Sequence, residues 1–360
     1  MRIMNSPPHS VRFLFIALAG LSLLSGIWIG VARLGFGLPL PTSAMIALHG
    51  PLMAIGFLLS LIGLERAAAV DRWWVYGVPL LSVLAIVTLF VGGSPKLTAF
   101  FAAGAAALLL LFFYQLFRRQ RQEHFIVMKL SAALLLCGNL LWVFDSTIHR
   151  IVPWWAGFLV VMIAGERLEL TRLRRPPFWV RLSLRIALLI FVAGLALTLF
   201  DFRLGVRLAG AGLIGIALWL LRYDLAWQSI KLPGLPRFMA LGLILGYFWL
   251  ALGGVFWIWF ARFFGAGPLY DAMLHTVFVG FVFSMIFAHA PIILPTVTGL
   301  ALPFSTSFYL HAGLLHLSLL GRIAGDLAFL PDGQKWGGLL NAFAVLLFLL
   351  NNIRAVTSAR

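Results

Sequence analysis

The chain has 360 residues, 62% of them apolar and only 11% charged, and its mean hydropathy is +1.03. Soluble domains carry nearer half apolar and about a quarter charged residues, so this composition excludes a water-soluble fold. The net charge of +16 does not signal nucleic acid, because the basic residues stand singly or in small groups between apolar runs, as loop charges of membrane proteins do.

Apolar runs between charged or Pro/Gly-rich breaks, read against the ~20 apolar residues a span requires, predict helices near 12–32, 43–64, 73–93, 97–117, 126–144, 151–168, 180–200, 205–222, 237–260, 270–290, 306–328 and 336–353. The expected fold is an all-α integral membrane protein of about twelve transmembrane helices, one domain over residues 1–360. The first run follows Arg2 and Arg12 as a signal peptide would, but it is too long and lacks a small-residue cleavage site before Arg33, so it is expected to stay as a helix. With the amino terminus inside, 19 of the 27 basic residues fall at or near the cytoplasm, among them Arg118, Arg119, Arg121, Arg172, Arg174 and Arg175. The positive-inside rule therefore puts both termini in the cytoplasm, and Trp73, Trp74, Trp154, Trp155 and Trp336 at helix ends suit an interfacial aromatic belt.

Three segments resemble one another: GFLLSLIGLER from Gly56, GFLVVMIAGER from Gly157 and GFVFSMIFAHA from Gly280. In the first two a Glu-Arg pair begins nine residues after the glycine, and in the third that position is His289. The segments belong to helices two, six and ten, which implies three parallel four-helix repeats, approximately 10–120, 121–225 and 235–355, related by an axis along the membrane normal. The Glu65-Arg66 and Glu166-Arg167 pairs are expected to anchor helix ends at the inner surface.

Each repeat also has a histidine near its outer entry. His49, His149 and His275 precede their glycines by 7, 8 and 5 residues. An ionisable group within a span is expensive unless it has a partner, and marks a site by default. His49 has no acid nearby in its own helix, and its bland alternative is a hydrogen bond to the Ala47 carbonyl, which Pro51 leaves without a backbone donor. For His275 the alternative is a structural pair with Asp271 one turn earlier. At about 100° per residue His49 lies above Gly56, whereas His275 is turned roughly 140° from Gly280. His149, beside Asp145 and Arg150, reads as an outer loop or as a ligand of the remaining repeat. Cys137 is the single cysteine, so metal chemistry must rest on histidine.

The segment ALHGPLMAIGF around His49 resembles the ligand-bearing helix of haem-copper oxidase catalytic subunits. The whole chain is more similar to the NnrS-type haem and copper membrane proteins, twelve-span relatives associated with bacterial nitric oxide metabolism. The resemblance in layout covers most of the chain, and that in motifs covers helix two and the stretch LHTVFVGFVFSMIFAHAPIILPTVTG. It implies a haem b ligated by His49 and His275 in the outer half of a bacterial cytoplasmic membrane, with copper as a further metal, nitric oxide as a ligand, and a redox partner or respiratory subunit beside the lipid bilayer. Two departures matter. Helix seven has no histidine, so the copper triad of the oxygen reductases is missing and proton-pumping dioxygen reduction is not expected. A lone His49 also stands where that family carries paired histidines.

His289 lies 14 residues beyond His275, about 21 Å along a continuous helix, so the two cannot share an iron. His289, His311 and His316 could converge on a second metal, although His311 and His316 point roughly 140° apart. Their alternative is separate structural bonding. Arg322 is placed to hold haem propionates, or simply to pair with Asp326 one turn on. Phosphate loops, nucleophile elbows and paired carboxylates in a cleft are absent from the sequence, which argues against soluble hydrolase or kinase chemistry. The expected role is haem binding in nitric oxide metabolism or respiratory electron transfer, and any enzyme activity would be that of an oxidoreductase. The competing readings are a proton- or substrate-coupled secondary transporter and a structural subunit of a respiratory complex.

Overall fold

A computed structural model describes residues 9–358 apart from 41, 71, 145, 146 and 175, and every regular element among the described residues is helical. Twelve long helices follow one another: α1 His9–Arg33, α2 Met45–Val70, α3 Trp73–Phe90, α4 Pro95–Arg119, α5 Glu123–Val143, α6 Ile148–Thr171, α7 Phe178–Leu197, α8 Phe202–Tyr223, α9 Leu235–Phe263, α10 Pro268–Thr298, α11 Phe308–Leu327 and α12 Pro331–Ser358. Eleven are long and apolar enough to cross a bilayer. The remaining one is α11, whose His311, His316, Arg322 and Asp326 lower its hydropathy. The protein is thus a multi-pass helical membrane protein.

Local chemistry sets the helix ends. Ser94 caps α4 by accepting from the Lys96 amide, with Pro95 in the first turn, and Asp201 caps α8 by accepting from the Leu204 amide at 3.0 Å. At the end of α10, Gly299 adopts φ +73° and its amide bonds the Pro295 carbonyl at 2.8 Å, a left-handed stop that suits glycine. Leu189, Leu317 and Leu350 are 68%, 70% and 63% exposed on their helices. That is expected where lipid rather than water covers an apolar face.

The described chain resolves into two compact units. One comprises residues 1–158 and 292–300, the other 159–291 and 301–360. In the first, α1 to α5 pack successively on one another; in the second, α7 to α12 do the same. The divisions fall within α6 and α10.

The repeated segments differ in backbone. Leu52–Leu59 in α2 and Thr276–Phe283 in α10 are both eight-residue π-helices, each with its Gly-Phe pair at the fifth and sixth positions and each followed by a serine, Ser60 or Ser284. The corresponding part of α6 is α-helical throughout. A π turn is wider than an α turn, so the 100° step used to compare His49 with Gly56 and His275 with Gly280 fails over these residues. The mid-span irregularity comes from this widening, which the placement of Gly and Pro did not foretell.

Candidate functional site

The histidines fall into two classes according to what Nδ1 does. A carbonyl oxygen can only accept, so a ring nitrogen bonded to one must carry a proton, and in the neutral ring the other nitrogen then carries the lone pair. His49 Nδ1 donates to the Gly26 carbonyl of α1 at 2.8 Å. His275 Nδ1 donates to the Asp271 carbonyl at 2.9 Å and lies 3.3 Å from the carboxylate oxygen of the same residue. His289 Nδ1 donates to the Met285 carbonyl at 2.8 Å. In the neutral form of these three the lone pair is on Nε2, the tautomer that a metal requires of a histidine held by its other nitrogen.

His311 and His316 are the reverse. The Trp249 indole, which can only donate, reaches His316 Nδ1 at 3.0 Å. Asn351 Nδ2 lies 3.0 Å from His311 Nδ1. Both rings therefore carry their proton on Nε2. His311 is fully buried, edge-on to Phe287 with centroids 5.0 Å apart, and Phe238, Phe308 and Phe348 complete an aromatic surround. His289, His311 and His316 have different partners, and among the described residues no group of three His, Cys, Asp or Glu side chains is arranged to hold a metal ion.

His49 reaches α1 because α1 presents Gly30 there. A Cβ on Gly30 would lie 3.0 Å from His49 Cε1 and 3.1 Å from Nδ1. The ring thus packs against the α1 backbone, and its Nδ1 is taken by the Gly26 carbonyl. His149 is half-buried in the first turn of α6 rather than in a loop, and its neighbour Asp145 lies outside the described residues.

In the second unit, Arg322 of α11 holds Asp271 of α10 through Nε at 2.7 Å and Nη2 at 2.8 Å. The partner expected for Arg322 was Asp326 or a propionate. Asp271 displaces Asp326 because a carboxylate on the facing helix can meet the guanidinium fork in its own plane. The result is a part-buried chain Arg322–Asp271–His275 in which an acid orients an imidazole.

A second buried group surrounds His289. Arg167 of α6 donates from Nε at 2.7 Å and Nη2 at 2.9 Å to Asp224, and Nη1 lies 3.5 Å from His289 Nε2. The Tyr247 hydroxyl of α9 is fully buried beside this pair. The Glu-Arg motifs therefore diverge: Arg66 stays near the surface, 4.0 Å from Glu65, whereas Arg167 is drawn into the interior by Asp224. A guanidinium so near Nε2 repels a metal cation, which sets His289 apart from His49 and His275. Asp224 and Tyr247 escape a sequence reading, since a single acid after a helix and a tyrosine in an apolar run have no distinctive spacing. The usable signal was the lone acid ending α8.

Comparison with curated proteins and with solved structures gives no match. One family model, described as a domain of unknown function (DUF8744), matches residues 12–357. That match spans α1 through α12, and the chain belongs to the DUF8744 family.

Proposed function

We propose that the protein is a haem-binding protein of the bacterial cytoplasmic membrane in which His49 and His275 each supply an iron-ligating Nε2, acting in electron transfer or nitric oxide chemistry. The observation that carries this reading is tautomeric. Each of these two rings donates Nδ1 to a carbonyl beside a π-helical stretch, and π turns recur at functional sites. The residues fit the group: imidazoles with Nε2 lone pairs are the donors haem iron takes, and an acid behind one of them strengthens it as a ligand. When bound, haem b supplies a one-electron iron centre able to take nitric oxide.

The chain's own residues prepare these ligands. Asp271 fixes the His275 ring and keeps the proton on Nδ1, while Arg322 balances the Asp271 charge. Gly30 makes room for the His49 ring against α1. The excess of basic residues in alternate loops supports cytoplasmic termini.

The test is a reduced-minus-oxidised visible spectrum with iron and copper analysis on the purified protein and on His49→Ala and His275→Ala. A sharp b-type band lost in either variant is the expected result. A folded, colourless, iron-free wild type overturns the reading.

The buried Arg167–Asp224 pair and the part-buried Arg322–Asp271 pair favour one other reading, a proton- or substrate-coupled secondary transporter, because ionised pairs inside spans mark ion pathways. The π stretches within two spans add to it. The colourless outcome selects this alternative.

A further inference from the structure

Residues 172–200 carry five arginines, Arg172, Arg174, Arg175, Arg181 and Arg185, and no acid. Residues 222–237 add Arg222, Lys231 and Arg237 against the single acid Asp224. That acid is buried and bonds Arg167 through both carboxyl oxygens, so its charge is already met. The two runs share one end of the α7–α8 pair in the second unit. There the Trp219 indole of α8 donates to the Val180 carbonyl of α7 at 2.8 Å, and the Trp179 ring meets that of Tyr223 at 5.8 Å. Close approach of the backbones holds the pair together, since a Cβ on Gly212 would lie 2.4 Å from Phe191 Cα. At the opposite end of the same pair the cations are Arg203 and Arg207, and Asp201 stands beside them.

The surface at the arginine-rich end has two parts. Arg172, Arg174, Arg185 and Arg222 are exposed, and the Arg222 guanidinium stands 5.4 Å over the Tyr223 ring. Arg181 Nε is buried with no hydrogen-bond partner among the described residues. Further into the span, Leu182, Ile186 and Leu189 follow at intervals of four and three and are all exposed, which makes one apolar stripe along α7. Phe178 and Trp179 are exposed at the head of that stripe, the level at which aromatic rings settle in a bilayer. A soluble anion would meet the arginines alone. Only an amphiphile with a negative head meets the arginines and the stripe together, and a guanidinium fork matches two oxygens of a phosphate.

We propose that this end of the α7–α8 pair binds an anionic phospholipid, its phosphate held by Arg181 of α7 and Arg222 of α8 and an acyl chain lying along Leu182, Ile186 and Leu189. Charge selects the lipid: a zwitterionic head brings its own cation to a surface already rich in them, whereas a net negative head neutralises it. The site uses no histidine, so it does not depend on the haem reading.

The experiment uses the full-length protein in nanodiscs of phosphatidylcholine, with and without phosphatidylglycerol, at one ionic strength. Thermal unfolding reports stabilisation, and native mass spectrometry of protein released from the discs counts retained phosphatidylglycerol. Phosphatidylglycerol should raise Tm and stay bound to the wild type. Arg181→Gln combined with Arg222→Gln should weaken its retention by about 10–30-fold, the effect of two arginines at an anionic surface. Arg203→Gln combined with Arg207→Gln removes the same charge from the other end and should retain the lipid as the wild type does. Equal retention by the first double variant overturns the site, as does equal loss in the second. The same rise in Tm from inorganic phosphate added to phosphatidylcholine discs also overturns it, because a free anion would then suffice. Should the first double variant fail to fold, Arg222→Gln alone changes an exposed side chain, and undiminished retention in it overturns the site equally. Neither readout involves iron, so a colourless protein sinks the haem reading and leaves this test intact.

Discussion

The Arg322 guanidinium and the His275 imidazole meet on a single carboxylate: Asp271 Oδ2 lies 2.7 Å from Arg322 Nε, and Oδ1 lies 3.3 Å from His275 Nδ1. Asp271 thus fixes the tautomer of a candidate iron ligand while its own charge is held by an arginine from the facing helix. Asp271→Asn keeps the shape and removes the charge. It should lower the affinity of the His275 site for haem by about 10–100-fold, the range for acids that support a metal-bound histidine. Transfer of haem to an apo-globin acceptor measures this, and unchanged retention would refute the orienting role.

The close fit of Gly30 under His49 makes a second expectation. Gly30→Val places methyl groups where the ring now lies, and such overpacking costs about 1–3 kcal/mol. The His49-dependent spectral band should be lost while the circular dichroism stays helical. An unaltered band would mean that His49 does not need its place against α1.

Arg167 and Asp224 form a buried bidentate pair whose side chains are 7% and 1% exposed. Removing one partner strands the other charge, so Arg167→Gln and Asp224→Asn should each destabilise by about 3–5 kcal/mol. The double variant should cost less than the sum of the two. Chemical denaturation of all four proteins closes the cycle, and additive losses would show that the pair is not coupled.

His316 and His311 have their lone pairs turned to Trp249 and Asn351. His316→Gln and His311→Gln should therefore leave the visible spectrum unchanged. Trp249→Phe removes the donor to His316 and should cost about 1–3 kcal/mol in stability, again without spectral change. A lost or shifted band in either histidine variant would make that residue a ligand.

The polar helix α11 is open to a topological test. If Phe308–Leu327 crosses the bilayer along with the eleven apolar helices, the count is even and the two ends of the chain lie on the same side. If it does not cross, they lie on opposite sides. Paired reporter fusions at the amino and carboxyl termini decide between these outcomes, and cytoplasmic activity at both ends is expected.

Amino-acid order alone determined the helices, because a span must satisfy its own backbone bonds and present apolar side chains to lipid, and both requirements are local. All twelve predicted runs are helices, and two of the three Gly-Phe segments, those in α2 and α10, are π-helical. The sequence also singled out His49 and His275. For His275 it also offered Asp271 one turn earlier, which the structure keeps at 3.3 Å, but the cross-helix partners were out of its reach. The sequence offered Ala47 to His49, Asp326 to Arg322 and a surface role to Arg167, each choice drawn from neighbours along the same helix. Tertiary structure replaced them with Gly26, Asp271 and Asp224. The reason is geometric: a bidentate ion pair, or an imidazole lying on a backbone, needs its partner in front of it, and an adjacent helix or connection supplies that better than the next turn of the same one. The π-helical widening was equally hidden, since its eight-residue segments have the composition of any apolar span.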